Sequence, residues 1–170
     1  LILPMGAYVT LPGPTENGFA ETAFEGWIFE KHLRPVSASI SPDGDPVSVA
    51  AQFIGSPYLW GGRSKLGIDC SGLVQLALAH TGYRVMRDSG PQHRSLGRDL
   101  EGDEHPMRGD LAFFPGHVGW MVDGIHLLHA NATNMAVTID PVADVTAWVQ
   151  RDLTRKGLHT PAFTGFKRLS

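Results

Sequence analysis

Apolar residues recur at helical spacing early in this chain and gather into strand-length blocks later, and that order constrains its fold more than any other feature. Val47, Ala50, Ala51 and Ile54 fall on one helical face, and Leu73, Val74 and Ala77 on another. From residue 111 the blocks are Leu111–Phe114, His117–Val122, Ile125–Ala130 and Ala136–Ile139. Asp123-Gly124, between the middle two, is a hairpin signal. Helices first and consecutive strands later predict an α+β domain with a mostly antiparallel sheet.

The helix ends carry their own signals. Asp45 can cap a helix whose first position is Pro46, and Gly55 stops it. Ser56-Pro57 through Gly61-Gly62 reads as loop, and a second helix is expected from about Cys70 to Thr81, with Gly82 as its stop. A long polar loop should follow. Residues 1–35 read as short strands, with Ala7–Thr10, Phe19–Thr22 and Glu25–Phe29 as candidates and Glu16-Asn17-Gly18 as a turn. The segment Glu25-Gly26-Trp27-Ile28-Phe29, with Leu33 after it, resembles the second half of a bacterial Src-homology-3-like barrel; any small β meander would read the same way. The expected division is a partial barrel over 1–35, a Ser/Pro/Asp/Gly-rich linker over 36–46 and a second domain over 47–170.

Composition removes several functions. A net charge of −3 without a Lys/Arg cluster argues against a nucleic-acid surface. No apolar run is long enough to span a bilayer. No signal peptide is visible in this sequence, which favours the cytoplasm, with the cell envelope as the alternative.

Cys70 is the sole cysteine, so an internal disulfide is excluded. It opens the second helix, where unpaired backbone N–H groups and the helix dipole favour a thiolate. A nearby imidazole can take the thiol proton, and His117, just after Pro115-Gly116, is the candidate. A third polar group must then fix the tautomer of that imidazole. His129 fits if His117 and His129 face each other across the hairpin. That pairing demands an odd loop, Val122-Asp123-Gly124, with Gly124 left-handed and a bulge. A two-residue loop would put the histidines on opposite faces. Cys70 is also consistent with an inert core thiol, and Cys70, His117 and His129 are residue types that bind zinc. No close pair such as Cys-x-x-Cys or His-x-x-x-His supports the metal reading.

Five ordered motifs resemble the NlpC-type cell-wall cysteine peptidases, a papain-like family of murein endopeptidases. They are Pro57-Tyr58-Leu59-Trp60-Gly61-Gly62, Asp69-Cys70-Ser71-Gly72-Leu73-Val74-Gln75, Gly109-Asp110-Leu111, His117-Val118-Gly119 and His129-Ala130. The resemblance spans about residues 47–145. It implies a papain-like α+β fold with Cys70 as nucleophile, His117 as general base and His129 as the orienting third member. The Cys70 N–H and the Tyr58 hydroxyl would hold the oxyanion, and no cofactor or metal is implied.

A narrower resemblance, to members with N-terminal Src-homology-3-like barrels, implies murein stem peptides with a free N-terminal L-alanine as substrates. The bond cleaved would join γ-D-glutamate to a diamino acid. Asp69 and Ser71 flank the nucleophile as in those members, and Arg87-Asp88-Ser89 with Gln92 resembles their downstream loop. Tyr58, Trp60, Asp69, Ser71, Asp88 and Ser89 are therefore the expected substrate contacts, Asp69 through an α-ammonium group. Asp69 is equally suited to cap the helix, and Tyr58 and Trp60 to pack in a core. Glu25 and Trp27 are the barrel residues expected to reach the site. The alternatives are a papain-like amidase or acyltransferase on another acyl group, and a catalytically silent wall-binding module. The sequence carries no signal for oligomeric state.

Overall fold

The computed structural model describes residues 2–24, 26–36 and 44–169. Most of the expected 36–46 linker, and Glu25, lie outside the described residues.

Near the N-terminus, β1 (Thr15–Glu16), β2 (Phe19–Glu21) and β3 (Trp27–Phe29) form an antiparallel sheet in that order. Asn17 and Gly18 both take positive φ, 50° and 79°, as a two-residue type I′ hairpin loop requires. A short 3-10 turn, Glu30–His32, follows. Ala7–Thr10, expected as a strand, joins no sheet. Pro12 and Pro14 follow it and offer no amide to a ladder. Met5 instead packs against the main core.

The rest of the chain runs α1 (Pro46–Ala51), β4 (Arg63–Ser64), β5 (Gly67–Ile68), α2 (Cys70–His80), α3 (Ser89–Ser95) and β6 (Arg98–Asp99). Then come β7 (Leu111–Phe114), β8 (His117–Met121), β9 (His126–Asn131), β10 (Ala136–Pro141), α4 (Val142–Arg155) and β11 (Gly165–Arg168). Six strands form one sheet in the order β10-β9-β8-β7-β11-β6, each neighbour antiparallel. The α+β expectation with an antiparallel sheet holds.

The sheet buries both faces. Val118, Trp120, Leu128, Ala130 and Val137 pack with Leu73, Val74 and Ala77 of α2 and Val47 and Ala50 of α1. On the other face Ala112, Phe114, Met121 and Leu127 meet Val145 and Trp148 of α4. This two-sided burial explains why the middle strands read as near-continuous apolar runs.

The expected polar loop contains α3. Its only buried residue is Gln92, so it shows no apolar stripe. Gln92 Nε2 donates to the carbonyls of Ser71 and Met86, both at 2.9 Å, which anchors α3 to α2.

Candidate active site

Asp69 caps α2 by accepting from the Gly72 N–H at 2.7 Å, and this places Cys70 in the first turn. Cys70 is buried, 8% exposed. The Val118 amide bears on its sulfur, so the thiol lies against the start of β8, one residue from His117. Burial pushes the thiol up to about 11, against the pull of the amides of Val118, Ser71 and Cys70 itself. The free protein therefore holds a neutral thiol.

The hairpin departs from the expected register. Trp120 pairs with Leu128 and Met121 with Leu127, so paired positions sum to 248 and the loop is Asp123-Gly124-Ile125. The loop is odd, as expected, but centred one residue later, and Gly124 is not left-handed. The Asp123 carboxylate accounts for both differences. It accepts the N–H groups of Ile125 and His126 at 2.7 Å and closes the turn without a left-handed residue. His117 and His129 still share a face, as diagonal rather than opposed neighbours. His117 Nε2 lies 2.7 Å from His129 Nδ1. With Nε2 so engaged, Nδ1 is the His117 nitrogen left for the thiol.

Gly119 makes this approach possible. A Cβ there would sit 2.9 Å from His129 Cβ and 2.7 Å from Leu127 Cγ. His129 is fully buried, and the Trp148 ring stacks near it, centroids 6.3 Å apart at 13°. Burial lowers the His117 imidazole to about 3, with a further push from His129. Burial also lowers His129, against the opposing pull of Asp140.

The residues expected around the nucleophile divide into two groups. Tyr58 sits beside the thiol and Asp69; burial first, then the negative charges those two groups carry when ionised, raise its phenol. Trp60 is 84% exposed, Asp88 is exposed and Ser89 is half-buried. Asp69 and Ser71, by contrast, are buried and tied to the framework beside the nucleophile. Asp69 Oδ1 accepts from Gly72 N and from Arg87 Nη1 (2.9 Å), and Oδ2 from Arg87 Nη2 (2.6 Å) and Gly61 N (2.8 Å). These four bonds fix the carboxylate against the start of α2. Burial alone would raise this carboxyl; Arg87 and the two amides outweigh it and hold it below the usual range. The buried Ser71 hydroxyl lies between Asp69 Oδ1 (3.3 Å) and Arg87 Nη1 (3.0 Å). Trp27 lies on the N-terminal sheet, lining a shallow depression with Glu16, Asn17 and Phe19.

Sequence reasoning missed three polar groups behind the histidines: Asp140, whose Oδ2 is 3.1 Å from His129 Nε2, Asn131 and Thr138. Alternation along β10 places Thr138 and Asp140 on one face, and Thr138 pairs with His129. That signal becomes readable only once the register is known. Among the described residues no group of three or more His, Cys, Asp or Glu side chains is arranged to hold a metal ion.

The sequence pattern of the NlpC/P60 family matches residues 55–155. The chain belongs to that family. Similar NlpC/P60 relatives are a γ-D-glutamyl-L-lysine dipeptidyl-peptidase of Bacillus subtilis, 35% identical over 135 residues, and dipeptidyl-peptidase 6 of Lysinibacillus sphaericus, 34% identical over 107. The matches cover 73% and 63% of this chain but 45% and 39% of those proteins. The chain thus spans less than half the length of either. Among solved structures, an NlpC/P60 family protein from Bacillus cereus aligns over 95% of this chain and 53% of its own, with TM-score 0.66 and 25% identity. The peptidoglycan hydrolase RipB from Mycobacterium tuberculosis aligns over 74% of this chain and 64% of its own, with TM-score 0.57 and 30% identity.

Proposed function

We propose that this NlpC/P60 chain is a cysteine peptidase acting on murein stem peptides through Cys70, His117 and His129. The observation that carries the reading is the 2.7 Å imidazole pair at the start of β8, beside a helix N-terminus that carries the sole cysteine. The Cys70 S–H gives its proton to His117 Nδ1 as the sulfur attacks the peptide carbonyl carbon. A C–S bond forms, and the oxyanion takes hydrogen bonds from the Cys70 N–H and the Tyr58 hydroxyl. The His117 imidazolium then protonates the leaving amine as the C–N bond breaks. Water, deprotonated by the same imidazole, hydrolyses the acyl-enzyme.

The name of the Bacillus subtilis relative, a γ-D-glutamyl-L-lysine dipeptidyl-peptidase, supports the γ-D-glutamyl–diamino acid bond as the one cleaved. We read Tyr58, Trp60, Asp69, Ser71, Asp88 and Ser89 as the residues that meet the peptide. We read β1–β3 as part of a small barrel on the substrate's amino side.

The test is L-alanyl-γ-D-glutamyl-meso-diaminopimelate, free and N-acetylated, with Cys70→Ala as control and the released diamino acid measured by mass spectrometry. Cleavage of the free peptide alone, lost in Cys70→Ala, is expected. Equal cleavage of both forms removes the free-amine preference. Cleavage that survives in Cys70→Ala removes the cysteine mechanism.

A further inference from the structure

We propose that Asp140 is the positioning residue that sets the tautomers of both histidines, by winning His129 Nε2 from a competing donor. The inference rests on the cysteine-peptidase reading above. Two groups contend for that nitrogen. Asp140 Oδ2 lies at 3.1 Å and, ionised, can only accept. Asn131 Nδ2 lies at 3.3 Å and can only donate. A neutral imidazole carries one N–H, so whichever partner prevails dictates the tautomer.

With Asp140 prevailing, the hydrogen sits on His129 Nε2 and the lone pair on Nδ1. His129 Nδ1 then accepts from His117 Nε2–H across 2.7 Å. His117 is left with its lone pair on Nδ1, where the thiol proton must go. With Asn131 prevailing, every bond in this chain reverses. His117 would then carry its hydrogen on Nδ1 and could not serve as base.

The surrounding groups favour Asp140. Asn131 Nδ2 has a better acceptor in Thr138 Oγ1, at 2.8 Å. The Thr138 hydroxyl in turn donates to Asp140 Oδ2. Asn134 Nδ2 adds a longer bond to the same oxygen, at 3.3 Å. Thr138 thus takes one of the two Asn131 amide hydrogens, with the Ala136 carbonyl at 3.5 Å a competing acceptor for the other, and passes its own to the carboxylate. A charge-assisted bond at a fully buried imidazole outweighs a longer neutral one.

The experiment is nitrogen NMR of ¹⁵N-histidine-labelled protein at neutral pH, together with kcat and KM on the murein peptide. Both histidines are expected as neutral Nε2–H tautomers. Asp140→Ala leaves Asn131 alone at Nε2; it should move both to Nδ1–H and lower kcat by roughly 10²-fold or more, with KM within about threefold. Removing the competitor as well, in Asp140→Ala/Asn131→Ala, should recover part of that rate, because no donor then enforces the wrong tautomer. A merely structural role predicts the reverse, a double variant worse than the single. His117 protonated on Nδ1 in the unaltered protein overturns the proposal, whether or not any variant folds. So does an Asp140→Ala spectrum with both tautomers unchanged. The spectra need no substrate, so failure of the peptidase reading, seen as activity in Cys70→Ala, is separately visible.

Discussion

In the proposed mechanism a thiol held near 11 and an imidazole held near 3 start as two neutral groups, and the proton moves as the sulfur attacks rather than beforehand. Iodoacetamide should therefore alkylate Cys70 slowly at pH 7, with a rate that climbs through about pH 10 without a plateau. A plateau near neutrality would show a preformed thiolate and sink this account. Tyr58→Phe deletes only the phenolic hydroxyl beside the thiol. If that hydroxyl holds the oxyanion, kcat should fall by roughly 10²-fold with KM little changed in steady-state assays. At this scale the sequence was informative about chemistry and poor about geometry. A lone cysteine at a capped helix start and two histidines of one parity were visible from spacing. The lock of Asp69 and Ser71 with Arg87 was not, because it joins residues 16 and 18 apart through a segment without periodicity.

Between elements, the site depends on two close approaches. Gly119 lets β9 bring His129 against β8. Gly119→Ala forces a methyl into Leu127 and His129, and should cost about 1–3 kcal/mol in urea unfolding as well as most of the activity. Arg87 ties the strap before α3 to the α2 cap at Asp69 and to the Gly62 carbonyl. Its side chain is 28% exposed, so Arg87→Met should cost less than a fully buried pair, about 1–3 kcal/mol. An unchanged unfolding midpoint would show that the cap holds without it. The strands from 111 to 141 were legible because a doubly buried sheet writes itself as apolar runs. α3 was not, since polar contacts from Gln92 hold it. The first residues of the chain misled, because short extended segments between prolines look like strands whether or not a partner exists.

Over the whole molecule, the buried histidines make acid a threat to the fold. The unfolded chain protonates His117 near 6.5, the folded chain only near 3, so stability is intact above about 6.5 and is lost as pH falls towards 3. The ring keeps some solvent contact, and the contribution is on the order of 2 kcal/mol. His117→Gln should flatten urea-unfolding stability between those limits; an equally steep loss would place the acid sensitivity elsewhere. The order of the large sheet has a separate consequence for synthesis. β11 pairs with β7 on one side and β6 on the other, although it lies some fifty residues after β7. The ribosome therefore releases α2, both histidines and four paired strands while the edge of β7 is still bare. A copy halted before Gly165 carries Cys70, His117 and His129 on an unfinished sheet whose open edge invites another chain to pair with it. The pairing of β11 with β7 thus covers that edge only after Cys70, His117 and His129 have all been made.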